Sequence, residues 1–135
     1  MAKLTVEIVT PERRILSAPA DEVIAPGGTG LFGVRPGHTP FLSVMEPGPL
    51  TLRDGPGQQV FFVAGGFVEV GADKVLVLAD QAEPATDIDV AAAQKKLEAA
   101  QAALRGMSSE DVRFHVEAAT VRRETVRMHV AAHPR

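Results

Sequence analysis

The sequence contains no cysteine, tryptophan or tyrosine, and its aromatic content is six phenylalanines in 135 residues. The missing thiols exclude a disulfide scaffold, a thiolate metal site and a cysteine nucleophile together. Long apolar runs are also missing. Nothing approaches the roughly 20 residues that cross a bilayer as a helix, and Met1-Ala2-Lys3 leads straight into a strand-like segment with no signal-peptide pattern. The chain is therefore expected to be soluble and to stay on the side of the membrane where it is made. Nor does one sign of charge dominate: 14 basic against 17 acidic residues leave a net charge of -3, which supplies no global basic stripe for nucleic acid. What is present, 45% hydrophobic and 23% charged residues, is ordinary for a folded domain. The length allows one small core plus an appendage and is too short for a two-domain enzyme with a cleft between its halves.

A further scarcity is local. Of 12 glycines, 11 lie at or before Gly71, and of 10 prolines, nine lie at or before Pro84. Residues 85–133 therefore suit helix, whereas the punctuated first part suits short strands and turns. Two unlike pieces are expected, 1–84 and 85–135.

In the first piece, Leu4-Thr5-Val6-Glu7-Ile8 alternates with period two and places Leu4, Val6 and Ile8 on one face. Short apolar runs follow at residues 15–16, 22–24, 31–34, 41–44, 50–52, 60–63, 67–70 and 75–78. Turn signals separate them at Pro26-Gly27-Gly28, Arg35-Pro36-Gly37, Pro47-Gly48-Pro49, Asp54-Gly55-Pro56-Gly57, Gly65-Gly66 and Gly71-Ala72-Asp73. Strands at this spacing without intervening helices predict an antiparallel β-sandwich or flattened barrel. No βαβ crossover is found, so a Rossmann-type nucleotide site is not expected.

In the second piece, Val90, Ala93, Leu97, Ala100 and Leu104 recur at spacings of three and four, one narrow helical stripe. Thr86 or Asp87 is a candidate cap and Gly106 a candidate stop. Ser108 or Ser109 is expected to cap a second helix with Glu110 and Asp111 in its first turn. Val112, Val116, Ala119, Val126 and Val130 would form its apolar line, widened by Phe114, Ala118, Val121 and Met128. The short connection forces the two helices antiparallel. A stripe made largely of alanine buries little area, so this hairpin is expected to be weakly held and able to detach.

Candidate chemistry is sparse. Pro26-Gly27-Gly28-Thr29-Gly30 lacks the Gly-Lys-Ser/Thr of a phosphate loop and reads as a strand connection. His129 and His133 are four apart but lack a third ligand, and read as solvated surface. Asp87 and Asp89 fit cap roles better than an acid–base pair. No serine has an identifiable histidine and carboxylate partner, and His38 reads as a turn or interface residue, so a non-catalytic protein is expected. Arg113, Arg122, Arg123 and Arg127 give the last helix a partly basic face, offset by Glu110, Asp111, Glu117 and Glu124. That face is either laced with ion pairs or suited to docking on an acidic partner segment.

The order of motifs is more specific than any one of them. Val9-Thr10-Pro11-Glu12 is followed by Gly30-Leu31-Phe32-Gly33-Val34-Arg35-Pro36-Gly37-His38-Thr39-Pro40. Ala64-Gly65-Gly66-Phe67-Val68-Glu69-Val70, Val75-Leu76-Val77-Leu78-Ala79-Asp80 and Asp87-Ile88-Asp89 come next. Over nearly the whole chain this resembles the family of epsilon subunits of bacterial F-type ATP synthases, the equivalent of the mitochondrial delta subunit. The resemblance implies a ten-stranded antiparallel β-sandwich followed by an antiparallel two-helix hairpin. It implies a rotor subunit of the central stalk, in a complex peripheral to the cytoplasmic face of the bacterial plasma membrane.

By position, the resemblance places Thr10, His38 and Ser43 where relatives meet the gamma subunit. It places the turn from Gly28 to Leu31 where they approach the c-ring. Leu31 stands where an acidic residue is common, which implies a more apolar contact. The helices in relatives either fold down on the sandwich or extend toward the catalytic alpha and beta subunits and block ATP hydrolysis. The resemblance gives Arg113, Arg122, Arg123 and Arg127 the role of docking the second helix near an acidic beta-subunit segment. A free-standing sandwich adaptor unrelated to the synthase is the reading that absence of a gamma partner would favour.

A nucleotide-sensing module is the other alternative, since some relatives bind ATP in the folded hairpin through an I-D-x-x-R-A motif. This chain keeps Ile88, Asp89 and Ala93, and Arg122 at a matching position, but has Ala92 and Ala99 where arginines occur. The two missing cations remove charge-assisted hydrogen bonds worth about 1.5–3 kcal/mol each. No cofactor is expected, and titration calorimetry of the subunit with ATP should show no micromolar binding; a micromolar isotherm would overturn this.

Overall fold

In a computed structural model that describes residues 2–134, ten strands precede two helices. The strands are β1 (Leu4–Val9), β2 (Arg14–Ala20), β3 (Glu22–Gly27), β4 (Gly30–Val34), β5 (Phe41–Val44), β6 (Gly48–Asp54), β7 (Gly57–Ala64), β8 (Phe67–Val70), β9 (Lys74–Leu78) and β10 (Gln81–Pro84). A 3₁₀ turn, Ala85–Asp87, leads into α1 (Val90–Leu104) and α2 (Val112–Ala132). The strands form two five-stranded sheets, ordered β2-β1-β9-β8-β5 and β10-β7-β6-β3-β4. β10 is a strand that no apolar run signals. It pairs with β7 from Gln81↔Ala64 to Pro84↔Phe61, and its terminal proline is tolerated because the strand is an edge.

The sandwich is almost wholly antiparallel. The exception is β1, which pairs with β9 in parallel from Thr5↔Lys74 to Val9↔Leu78. Tight turns dictate direction only between strands adjacent in the chain, and most of the sandwich lies between these two. Two expected turns also shift. Pro26 and Gly27 belong to β3 and Gly48 opens β6, so each Pro/Gly cluster contributes part of itself to a strand.

Period-two alternation builds the core. Leu4, Val6 and Ile8 of β1 meet Val75 and Val77 of β9, Val68 and Val70 of β8, and Leu50 and Leu52 of β6 between the sheets. At about 25 cal/mol for each Å² removed from water, this layer is the main stabilising contribution to the chain. β7 departs from alternation, and Val60, Phe61, Phe62, Val63 and Ala64 are all buried. Phe61 and Val63 face the sandwich core, whereas Val60, Phe62 and Ala64 belong to a second cluster under the helices.

The helix boundaries depend on carboxylates. The Asp89 carboxylate caps α1 by accepting from the Ala92 amide at 3.0 Å, in place of Thr86 or Asp87. Asp111, not a serine, caps α2 by accepting from the Arg113 amide at 2.9 Å, and Ser108 Oγ instead accepts from Glu110 N within the connecting turn. Gly106 follows the end of α1 but is absent from the positive-φ glycines, so the helix stops without a left-handed cap. The buried residues of α1, Ala93 and Ala100, lie on the side packed against α2.

The β7–β8 connection does require glycine. Gly65 and Gly66 have φ of +70° and +86°, and a Cβ on Gly66 would run into the Leu78 carbonyl oxygen, an immobile backbone atom. Gly66→Ala is expected to destabilise the subunit by about 2 kcal/mol or more, read as a lowered urea midpoint with unchanged m-value; an unchanged midpoint would contradict this geometry.

Candidate functional site

Two surfaces of the sandwich carry apolar groups outside the core. On the first sheet, Val75, Val77, Val68 and Val70 point inward, which turns the alternate residues out. Register lines Val9, Leu78, Phe67 and Val44 into one row across β1, β9, β8 and β5. Phe67, Leu78, Val44 and the nearby Leu42 are exposed. A cavity of about 330 Å³ lies beside the row, lined by Val9, Thr10, Pro11, Phe67 and Leu78 among others. The β3–β4 turn abuts this row, because a Cβ added to Gly28 would sit 3.1 Å from Val44 Cγ2. At that turn Leu31 is 63% exposed. Exposed apolar groups gathered in one row, rather than scattered singly, are characteristic of interaction surfaces.

The second surface is the outer face of β7 and β10, and α2 already occupies it. Val126, Val130 and Ala131 of α2, with Ile88, pack on Val60, Phe62 and Ala64. Beside this apolar seat lies a cluster of charges. Glu83 of β10, opposite Phe62 in register, accepts from Arg127 Nε and, at 3.2 Å, from Arg127 Nη2. Arg127 Nη1 donates to Glu124 Oε1 at 3.0 Å, and Arg123 Nε donates to Glu124 Oε2 at 3.0 Å. All three nitrogens of the Arg127 guanidinium and both oxygens of Glu124 are thus engaged, and the four charges sum to zero. Glu124 is 1% exposed and Arg127 7%. The hydrogen bonds to Glu83 hold the Arg127 guanidinium protonated even more firmly than usual. Removing one member of such a buried pair costs about 3–5 kcal/mol in general, because it strands the other.

The expected site residues fall into distinct places. The hydroxyl of Thr10 is buried and donates to the Arg13 carbonyl at 3.2 Å, closing the β1–β2 turn. Ser43 Oγ donates to the Val44 carbonyl at 2.9 Å, and its register partner is the inward-facing Val68. The exposed side chains of β5 are its neighbours Leu42 and Val44. His38 Nδ1 lies 2.7 Å from the Thr39 carbonyl oxygen, with its ring 5.2 Å from that of Phe41. Gly28 lies in the exposed β3–β4 turn, and Leu31 follows it as the second residue of β4, paired with Pro26.

The basic face of α2 is divided. Arg113 pairs with its own cap Asp111 at 2.8 Å, and Arg122 pairs with Glu46 at 3.4 Å. Arg123 is committed to Glu124, and Arg127 is not on the outer face at all. Val112 and Val116, expected to be packed, are 80% and 64% exposed. The α2 residues that pack on the sandwich, Val126, Val130 and Ala131, all lie in the second half of the helix. Of the nucleotide-motif positions, Ile88 is buried in the hairpin seat, Asp89 is spent as a cap and Ala93 is buried against α2. Among the described residues no three metal-ligating side chains converge; the His129 and His133 rings, 4.5 Å apart, meet each other on the surface. Glu83 and Glu124 carry no motif. The unbroken apolar run at residues 60–64 is the signal that β7 is covered on both faces.

Comparison with known proteins matches both pieces. The family described as "ATP synthase, Delta/Epsilon chain, beta-sandwich domain" matches residues 3–85, and "ATP synthase, Delta/Epsilon chain, long alpha-helix domain" matches residues 86–132. The chain is 68% identical over 131 residues to an "ATP synthase epsilon chain" of Myxococcus xanthus, covering 97% of this chain and 96% of that one. A second, from an Anaeromyxobacter species, is 46% identical, covering 95% and 97%. Among solved structures, a chain of the Euglena gracilis mitochondrial ATP synthase superposes with TM-score 0.71 at 21% identity, covering 98% of this chain and 79% of that chain, which shows a shared fold.

The Asp111 cap has a pH signature. The Arg113 side chain, then the Arg113 amide, hold its carboxyl down to about 2. Because the folded value lies below the unfolded one, the cap's contribution is complete above pH of about 4 and lost as pH falls toward about 2. Carbon-detected NMR should show Asp111 titrating near about 2, with amides 112–114 losing protection over the same range; an ordinary midpoint near about 4 would contradict the cap.

Proposed function

The chain belongs to the delta/epsilon chain family of ATP synthase, and from that premise we propose that it is a non-catalytic rotor subunit in the central stalk of a proton-translocating F-type enzyme. The observation that carries the reading is the match of both domains in one chain, together with a relative 68% identical over nearly the full length. In this reading the sandwich is the attachment. The row Val9, Leu78, Phe67 and Val44 supports a protein partner there, and the gamma subunit is that partner. Burying a Phe, a Leu and two Val contributes about 1.5–3 kcal/mol for each side chain fully removed from water.

The exposed turn with Leu31 is directed to the c-ring, as an apolar rather than an acidic contact. The subunit then passes proton-driven rotation to the alpha and beta subunits without chemistry of its own. No helix among the described residues is long and apolar enough to cross a membrane. The subunit is held peripherally at the cytoplasmic face of the bacterial plasma membrane through the complex.

The hairpin is the regulatory part. Its seat on the sandwich is a short apolar patch plus one ion cluster, while Val112 and Val116 remain uncovered. A helix pair with a small footprint and unspent apolar residues is suited to a second position on another surface. There, Arg113, Arg122, Arg123 and, once freed from Glu83, Arg127 would meet an acidic segment of the beta subunit, and the extended hairpin would inhibit ATP hydrolysis. Deletion after Thr86 is expected to raise ATP hydrolysis by the reconstituted complex severalfold while the sandwich still co-purifies with gamma. Hydrolysis indistinguishable from that of the full-length complex would remove the inhibitory role.

A further inference from the structure

We propose that the cluster of Glu83, Arg127 and Glu124 is the latch that holds the helical hairpin on the sandwich, and that it withholds Arg127 from the exposed cationic face while it is closed. The proposal rests on the regulatory reading above only for its consequence in the complex; the latch itself is a property of the isolated subunit.

The position of the cluster supports this. Glu83 is the acidic member contributed by the sandwich, on edge strand β10, and Arg127 and Glu124 come from α2. The bidentate bond between Arg127 and Glu83 therefore crosses from one piece of the chain to the other, and lifting the hairpin must break it. Glu124 stays with Arg127 in either position, since the two are three residues apart on one helix. It pre-orients the guanidinium toward β10 and keeps Arg127 paired when the hairpin lifts. The remaining cross-links are slight: Arg122 reaches Glu46 at 3.4 Å between two well-exposed side chains, a pair of small worth in water.

The chemistry explains why charges occupy this place. An apolar pair of similar volume would hold at least as well, since replacing buried ion pairs by packed hydrophobic residues is often neutral or stabilising. It would also expose apolar surface each time the hairpin lifted. An ion pair is different: once separated, both groups are well solvated, so the open form exposes the apolar seat of Val60, Phe62 and Ala64 but no further apolar surface at the cluster. The geometry is strong when closed, because a two-pronged guanidinium–carboxylate bond has a strict orientation and does not tolerate partial sliding. The device therefore favours two discrete positions over a loose continuum.

Hydrogen exchange on the full-length subunit tests this, because α2 and the sandwich report separately. In Glu83→Gln, amides 121–130 of α2 are expected to exchange roughly tenfold to a hundredfold faster, while those of β1 and β9 stay unchanged. Arg127→Gln, which also frees Glu124 from one partner, should do so at least as strongly, and the double variant should be no worse than Arg127→Gln alone, because both singles remove the Glu83–Arg127 bond. Additive effects, or unchanged exchange in Glu83→Gln, would overturn the latch. Equal acceleration in β1 and β9 would also overturn it, showing that Glu83 supports the sandwich instead. Failure of the deletion after Thr86 to change hydrolysis would remove the inhibitory role and leave this result intact.

Discussion

Strand β7 is buried on both faces, and the rest of the arrangement follows from that. Its inward residues, Phe61 and Val63, close the sandwich, and its outward residues, Val60, Phe62 and Ala64, need a second cover. Leaving Phe62 in water would forfeit about 1.5–3 kcal/mol, so α2 has a defined seat although its own footprint is small. The seat also fixes where charge can enter. β10 pairs with β7 so that Glu83 stands beside Phe62, and α2, which lies over that face, brings Arg127 and Glu124 to it.

The two pieces are therefore coupled through one strand without being fused into one core. The sandwich has its own continuous apolar layer, and the hairpin has its own helix–helix contact with Ala93 and Ala100 at the centre. Between them lie a few apolar side chains and a neutral group of four charges. Such a contact is strong enough to give a resting position and narrow enough to be given up, as a movable regulatory element requires.

The opposite sheet has the contrary character. Its outer row of Val9, Leu78, Phe67 and Val44 is left largely open by the described residues, and it sits on the central and edge strands of the core. A firm apolar face suits permanent attachment and a thin ionic seat suits reversible contact. The asymmetry between the two faces of one sandwich matches a subunit that is anchored on one side and adjustable on the other.

Much of this was legible in order and type. The alternation in β1, the glycine- and proline-marked turns and the three-four spacing of α1 foretell a sandwich followed by a hairpin, because those signals are local and each residue's neighbours in the chain enforce them. β10 escaped because its strand character comes from pairing with β7 rather than from its own residues. Val112 and Val116 looked like core because periodicity shows which side of a helix is apolar, but not whether anything lies opposite. Arg127 is the clearest instance. The sequence by itself determined that it lies on a helix with three other arginines, and only the tertiary structure decided that it faces inward. What turns it is a carboxylate 44 residues away, and a pairing across that distance is set by which sheet face the helix covers, not by any spacing along the chain.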